Sequence, residues 1–273
     1  MGFYRCAFPG DAPELPVHWH EELEFTLIRS GRLLYTVGLD SAGAEAGDLV
    51  LVLPGALHAA RPVGSEGGET DSALFHLRML EGGEPDLCTR RFLRPLLENP
   101  PAVVPVLRPG TGEYDRFRGC FDSLWDCQEE SVFQPLRAKR AMLELVELIW
   151  RGAGEQPPPR RRDGQYAEKL KLALGYIHDR YAEDVTVAEL AALCGFSPAH
   201  FMSVFKRYMN CGCIRYLNDY RLRRAALSLL ETDAPVMQIA LDSGFQNISY
   251  FNRLFKRKYG LPPRAYREGR ISE

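Results

Sequence analysis

One short design occurs twice in the last third of this chain, and few folds accommodate such a repeat. The first copy reads Ala191-Ala192-Leu193-Cys194-Gly195-Phe196-Ser197 and continues to Phe201, Phe205, Lys206 and Arg207. The second reads Ala240-Leu241-Asp242-Ser243-Gly244-Phe245-Gln246 and continues to Phe251, Phe255, Lys256 and Arg257. The Gly-Phe pairs lie 49 residues apart and the Phe-Lys-Arg triplets 50 apart, so the second copy has one more residue in its turn. A repeat of this length marks a supersecondary unit used twice.

Each copy reads as helix, turn, helix. Thr186 is an N-cap and Glu189, three residues on, completes a capping box. Val187, Leu190 and Ala191 then share one apolar face. Gly195 takes the left-handed conformation that ends this helix, because it has no Cβ to clash. Ser197 caps the next helix with Pro198 at its first position. Phe201, Val204, Phe205 and Tyr208 face inward at helical spacing. In the second copy Asp233 is the expected cap, with Pro235 near the helix start. Val236, Ile239 and Ala240 are expected on its buried face, and Gly244 makes the turn. Phe251, Leu254, Phe255 and Tyr259 are expected to be buried in its second helix.

The outward faces carry the chemistry. A helix fits the major groove of B-DNA, where Arg and Asn make paired hydrogen bonds to guanine and adenine edges. Basic side chains beyond them suit phosphates, which give affinity without sequence information. The expected DNA-contacting residues are Ala199, His200, Met202, Ser203, Lys206 and Arg207 in the first copy. In the second they are Asn247, Ser249, Tyr250, Asn252, Arg253, Lys256 and Arg257. One such hairpin is weak evidence, since its basic face can simply be solvated. Two in tandem, both closing on Phe-Lys-Arg, favour DNA.

Residues from about 166 to 267 resemble the DNA-binding domain of the AraC/XylS family of bacterial transcription regulators. The resemblance rests on Leu190-Ala191, Gly195-Phe196-Ser197, Phe205-Lys206-Arg207, Arg215-Tyr216-Leu217, Arg221-Leu222 and Ala225. It extends through Leu229-Leu230, Ile239-Ala240, Gly244-Phe245, Tyr250-Phe251, Phe255-Lys256, Gly260, Pro262 and Tyr266. It implies seven helices, two helix-turn-helix units joined by one long helix, and recognition helices in successive major grooves. Here the joining helix is expected over Ile214 to Glu231, with Tyr216, Leu217, Leu222, Ala226 and Leu229 on its apolar side. The chain departs from the family in placing Met202 and Ser203 where longer polar side chains are common. That shifts the expected base discrimination to Asn252 and Arg253.

Charge divides the chain as the repeat does. From Arg160 onward there are 19 Lys and Arg against 12 Asp and Glu, a net of +7; before it there are 15 against 24, a net of −9. A basic half for DNA and an acidic half for another task are expected. The seven cysteines are scattered. Cys120 and Cys127 read as helix-face packing, and Cys211-Gly212-Cys213 supplies two ligands where a zinc site takes four. Met1 to Pro16 holds no apolar run of the secretory kind, and no stretch approaches a membrane span. The expected compartment is therefore the cytoplasm.

Phe3 to Pro16 lacks periodicity and reads as an arm, a candidate for the element that moves on effector binding. Period-two alternation follows. Leu23, Phe25 and Leu27 form one strand, Gly31 turns the chain, and Leu33 to Val37 forms a second. Leu49 to Leu53, His58 to Val63 and Ala73 to Leu80 complete a set of short strands, as in a β-barrel or jelly roll. His18-Trp19-His20 with Glu24, and Gly47-Asp48 through Pro54-Gly55 to His58, resemble the two motifs of cupins, the second more loosely because no Asn follows His58. The resemblance implies His18, His20, Glu24 and His58 as metal ligands. Residues 18, 20 and 24 share parity, so on one continuous strand they face the same way, and such a donor set suits a divalent transition metal. In AraC-type sensor domains these positions often persist without metal, where they line or brace an organic-ligand pocket, and that is the expectation here. His18, His20, Glu24, Tyr35, His58 and His76 are the expected lining, and hydroxyl-rich effectors such as sugars suit them.

From Glu113 to Trp150 the period returns to 3.6. Tyr114, Phe117, Phe121, Leu124 and Trp125 form one stripe; Leu136, Met142, Leu143, Val146, Ile149 and Trp150 form another. Two antiparallel helices are expected, broken near Glu130 to Pro135. The resemblance implies a homodimer contact here, and packing on the barrel is the alternative; both hold if different faces serve. The expected organisation is a cupin-like sensor domain over 1–110, a helical hairpin over 111–151, a Pro/Arg linker over 152–165 and an all-α DNA-binding domain over 166–273. The implied whole is an effector-responsive, non-enzymatic regulator with promoter DNA and, for an activator, RNA polymerase as partners. A metal-dependent cupin enzyme, or a metal sensor, fused to a DNA-binding domain is the alternative.

Overall fold

The computed structural model describes residues 1–10, 15–81, 86–98, 100–101, 105–153 and 162–269. Its contacts divide the chain into two compact units, Met1–Arg162 and Asp163–Glu273.

The first unit is a jelly-roll-like pair of antiparallel sheets with helices on one face. Its strands are β1 (Gly2–Phe8), β2 (Leu15–His18), β3 (Leu23–Val37), β4 (Asp40–Glu45), β5 (Leu49–Val52), β6 (His58–Pro62), β7 (Gly68–Phe75) and β8 (Val106–Leu107). The main path runs β1-β7-β3-β5-β8, while β4 and β6 pair with β3, and β2 with β6. The expected turn at Gly31 is instead a bend within one strand. Leu23 to Leu27 pairs with β5 and β7, and Arg32 to Val37 pairs with β4 and β6. Gly31 has φ +74°, and a Cβ there would lie 1.9 Å from the Gly67 carbonyl oxygen. A strand that changes sheets needs such a corner.

Alternation along the strands makes two cores. Leu23, Phe25, Leu27, Leu49, Leu51, Ala73 and Phe75 face the helices. Ile28, Val50 and Val52 pack with Leu33, Tyr35, Ala44 and Ala60 on the other side. The segment read as an arm is corrected: Gly2 to Phe8 pairs residue by residue with β7. Its edge position leaves Tyr4, Arg5 and Cys6 exposed, which erased the apolar alternation. Arg5 Nε donates to buried Asp71 at 2.7 Å, Arg29 Nη1 to the same carboxylate at 2.9 Å, and Phe3 packs edge-on to Trp125. The run Ala73 to Leu80 is also corrected: the strand ends at Phe75 and a 3-10 turn follows over Leu77–Leu80.

A π turn over Thr89–Leu93 leads into α1 (Arg94–Glu98); then come α2 (Tyr114–Trp125) and α3 (Gln134–Ala153). These last two form the expected hairpin, and they pack on the sheet. Cys120 and Cys127 are buried there, as expected of helix-face packing. The α3 stripe is corrected. Ala138, Ala141, Met142, Leu145, Val146, Leu148, Ile149 and Trp150 are buried, whereas Leu136 and Leu143 are 68% and 44% exposed. At 100° per residue those two leucines lie away from the face that the sheet covers. Residues 154–161, most of the expected linker, lie outside the described residues.

The second unit holds α4 (Arg162–Arg180), α5 (Val187–Leu193), α6 (Pro198–Met209), α7 (Cys213–Glu231), α8 (Val236–Asp242), α9 (Ile248–Tyr259) and α10 (Pro263–Glu268). Among the described residues that is the seven-helix count implied by the resemblance. The joining helix α7 starts one residue before the expected Ile214. Leu222, Ala225, Ala226 and Leu229 of α7 pack against Ile239, Ala240, Phe251, Leu254 and Phe255. Asp233 is not the cap of α8; Pro235 holds that position with no side-chain cap bond. Among the described residues, no single helix is long and apolar enough to cross a membrane.

Candidate nucleic-acid interface and histidine centre

The two helices expected to read DNA are α6 and α9, and local chemistry fixes both. The Thr186–Glu189 capping box starts α5, and Gly195 at φ +63° ends it. The Ser197 side chain accepts from the His200 N–H to start α6. Gly244 at φ +85° makes the corresponding turn, and Asn247 Oδ1 accepts from the Tyr250 N–H at 2.9 Å to start α9. Phe201, Val204, Phe205 and Tyr208, and likewise Phe251, Leu254 and Phe255, are buried.

Ala199, His200, Met202, Ser203, Lys206 and Arg207 are therefore exposed on α6. On the second reader Asn247, Ser249, Tyr250, Asn252, Arg253, Lys256 and Arg257 are exposed. Several of these side chains have structural contacts as well. The Asn247 oxygen is taken by the cap, and the His200 ring meets the Phe196 ring edge-on at 4.8 Å. Arg253 is braced, its guanidinium 5.4 Å from the Tyr250 ring centroid, and the Tyr250 hydroxyl accepts from Asn218 Nδ2 at 3.3 Å. Lys258 belongs to the same basic run but turns to α7, donating to the Asp219 carbonyl at 3.2 Å. Arg264 of α10 was not anticipated. It joins Asn252, Arg253 and Lys256 around a groove of about 480 Å³, and only its position after Pro262-Pro263 hinted at a helix start there.

The first unit gathers His18, His20, Glu24 and His58. They do not share one continuous strand, as the parity argument required: β2 ends at His18 and β3 begins at Leu23, so His20 lies in the bend between them. The bend and the His18–His58 pairing across β2 and β6 bring them together. Ring centroids lie 4.1 Å apart for His18 and His58, 4.9 Å for His20 and His58, and 5.9 Å for His18 and His20. One ligand atom from each ring falls within 4.8 Å of the others.

Backbone carbonyls orient all three rings. His18 Nδ1 donates to Pro16 O at 2.9 Å, His58 Nδ1 to Ala56 O at 2.9 Å, and His20 Nδ1 to Glu22 O at 3.0 Å. A carbonyl only accepts, so each Nδ1 keeps its proton, and a ring in its neutral form presents its lone pair at Nε2. The Nε2 atoms of His20 and His58 lie 3.2 and 3.4 Å from Glu24 Oε2. His58 is 2% exposed and its Nε2 has no hydrogen-bond partner. The other Glu24 oxygen accepts from Thr26 Oγ1 at 2.9 Å, and Thr26 in turn bonds Ser72 at 2.7 Å. Lone pairs aimed at a carboxylate repel it unless a cation or a proton intervenes.

The electrostatics follow this crowding. Burial, then the neighbouring His58, pushes His18 down to about 4. Burial acts the same way on His20, but the hydrogen bond and charge of Glu24 outweigh it and raise that imidazole. Burial opposes ionisation of Glu24, yet His20 and His58 hold it well below the usual carboxylate range. Tyr35 is buried among apolar side chains, and its phenol is raised first by burial and then by the Glu24 charge. His76 stands apart from the three-histidine group with the opposite proton placement. Its Nδ1 accepts from the Arg78 N–H, and its Nε2 donates to Glu21 at 3.1 Å.

Comparison with known proteins finds the same two parts. A family model described as a helix-turn-helix domain matches residues 190–269, and one described as a cupin domain matches residues 4–69. The HTH-type transcriptional regulator YdeC of Bacillus subtilis (strain 168) is 23% identical over 262 residues, 93% of this chain and 86% of that protein. YobQ from the same strain, also an HTH-type transcriptional regulator, is 34% identical over 39% of this chain and 46% of its own length. The regulatory protein PocR of Salmonella typhimurium is 33% identical over 37% of this chain and 33% of its own length. The chain thus spans most of the first relative and less than half of the other two. Among solved structures, the C-terminal domain of AraT from Geobacillus stearothermophilus is 29% identical over 37% of this chain and 85% of that one, with a TM-score of 0.36. Fatty-acid-bound ToxT from Vibrio cholerae is 12% identical over 97% of this chain and 94% of that one, with a TM-score of 0.48.

Two outcomes follow. Arg253→Ala is expected to lose about 1–3 kcal/mol of binding and relax specificity at one base pair, whereas Lys256→Ala weakens binding to every sequence and shallows the salt dependence. Gel shifts on sequence variants check both, and unchanged specificity in Arg253→Ala means another side chain reads that base. The second outcome concerns pH. The fold holds His18 neutral down to about 4, while the unfolded chain protonates it near 6.5. Its contribution is therefore complete above pH 6.5 and is lost as pH falls toward 4. In chelator-treated protein, the urea midpoint of His18→Gln should fall less over that window than the wild-type midpoint. Equal falls in the two proteins contradict this assignment.

Proposed function

We propose that the chain is an AraC-type helix-turn-helix transcription regulator with a cupin domain ahead of its paired readers, and that the cupin domain senses its effector at a divalent metal centre. The ion is held by His18, His20 and His58 through Nε2 and by one oxygen of Glu24. The supporting observation is the set of three Nδ1–H groups tied to backbone carbonyls, with the Nε2 atoms of His20 and His58 3.2 and 3.4 Å from Glu24 Oε2 and buried His58 Nε2 left without a hydrogen bond. Ligand rings oriented by second hydrogen bonds are the arrangement that metal-binding histidines use. Nitrogen and carboxylate donors suit first-row divalent ions.

A bound ion would supply positive charge to attract the oxygen atoms of an organic effector such as a sugar. The protein's own groups do the rest. Thr26, itself bonded to Ser72, holds the second Glu24 oxygen. No reaction is assigned to the centre; in this reading it binds. The effector alters DNA binding only as far as its affinity differs between two states of the protein.

Thermal unfolding of the full chain tests the reading, after chelation and then with Zn²⁺, Mn²⁺, Ni²⁺ or a panel of sugars. An ion at 100 times its dissociation constant should add about 2.7 kcal/mol, and His58→Ala should abolish the gain. A gain from a sugar in the presence of chelator, with none from any ion, overturns the metal and leaves the histidines as pocket lining. We place the contact with a second copy on the exposed Val132, Phe133, Leu136 and Leu143. Sedimentation should show Leu136→Glu shifted toward monomer at an unchanged melting temperature; an unshifted mass removes the dimer contact from this face.

A further inference from the structure

The two readers are not joined by α7 alone. Arg221, midway along α7, reaches back to the segment that connects α4 to the first reader. Its Nε donates to the Tyr181 carbonyl at 2.6 Å and its Nη2 to the Glu183 carbonyl at 2.7 Å. The same guanidinium lies 6.0 Å from the ring centroid of Phe245, the aromatic residue of the second reader's turn. A Cβ on Gly244 would meet Arg221 Nε and the Tyr181 carbonyl oxygen at 2.8 Å each, and Ala182 Cα at 2.9 Å. The turn that launches α9 is thus packed directly on the base of the first reader, with Arg221 between them.

The internal repeat shows that this is more than a local cap. In the first copy Lys169 of α4 stands in the corresponding place, its ammonium 4.5 Å from the Phe196 ring centroid and 3.7 Å from where a Gly195 Cβ would lie. Each Gly-Phe turn therefore has a cation from the helix before its own hairpin. Lys169 stays within its own unit, whereas Arg221 also spans to the other. A planar fork with five donors can hold two carbonyls at once; a lysine offers a single point.

We infer that Arg221 is a positioning residue that fixes the register between the two readers, and so the base-pair spacing of the operator that both read together. Resting on the two-reader reading, it assigns spacing discrimination to a half-buried side chain that grips backbone carbonyls of the protein. Arg221→Lys keeps the charge over Phe245 and forfeits the two-carbonyl grip. Gly244→Ala wedges the same joint from the other side.

The experiment uses the full chain and an operator selected by the wild-type protein from random-sequence duplexes. The separation of its two contacted segments is then varied by single base pairs. Wild-type affinity should fall on the order of tenfold for one inserted or deleted pair, the size of a mismatched contact. Arg221→Lys should flatten this profile to about twofold, keep its affinity for a duplex bearing one segment, and keep the salt dependence of that binding. Lys169→Ala serves as the comparison and should keep the wild-type profile. A strict wild-type profile with an equally strict Arg221→Lys profile overturns the inference. A wild-type protein indifferent to spacing, or one that selects a single segment, overturns the two-reader reading itself.

Discussion

A glycine with positive φ sits at the corner of each helix pair, and the DNA-facing geometry depends on it. At Gly195 and Gly244 the chain must reverse within a few residues, so that the next helix leaves at a steep angle. A side chain there is strained by the backbone alone, and at Gly244 it also has nowhere to go. Once the corner is made, Phe196 or Phe245 fills it and the next helix has no freedom to roll. Phe201 and Phe205, or Phe251 and Phe255, bury one side and so commit the other to solvent. Recognition is in this sense a by-product of packing: the reading face is what the aromatic face leaves over.

The first unit uses the backbone in a similar way. Three imidazoles near one carboxylate are an awkward cluster to bury, and their protons are not left to chance. Carbonyl oxygens of Pro16, Glu22 and Ala56 fix each ring. A buried polar atom without a partner costs about 1–3 kcal/mol, and His58 Nε2 is such an atom. An ion at the centre, as proposed, would remove that cost. His76 makes the contrast plain, since its Nε2 carries the proton and serves an exposed carboxylate instead.

Much of this was legible in the sequence, for identifiable reasons. Helix caps are local, so Thr186, Ser197 and Asn247 mark boundaries without knowledge of the tertiary fold. Helical burial is periodic, so the inward aromatics of α6 and α9 could be named, and their outward neighbours with them. The His and Glu cluster was legible as a set of residues, while its geometry was not. Residue parity applies to an unbroken strand, and the chain bends between His18 and Leu23. Edge position hid β1, whose exposed residues follow no alternation. A corner glycine hid the continuity of β3, because a turn and a sheet-changing bend carry the same residue. Leu136 and Leu143 were misplaced because an exposed leucine and a buried one look alike in sequence. Arg221 was noticed only as part of a family pattern; its grip on Tyr181 and Glu183 spans about 40 residues and leaves no local trace.

The paired hairpins can set operator spacing only when α6 and α9 engage the same DNA molecule at once. Hydroxyl-radical footprinting of the full chain on its selected operator tests it most directly. Two protected segments on one face of the duplex, about 10 base pairs from centre to centre, are the predicted result. A single protected segment that disappears with Arg253→Ala and ignores substitutions on α6 would contradict it, and would leave the first hairpin as a brace for a single reader.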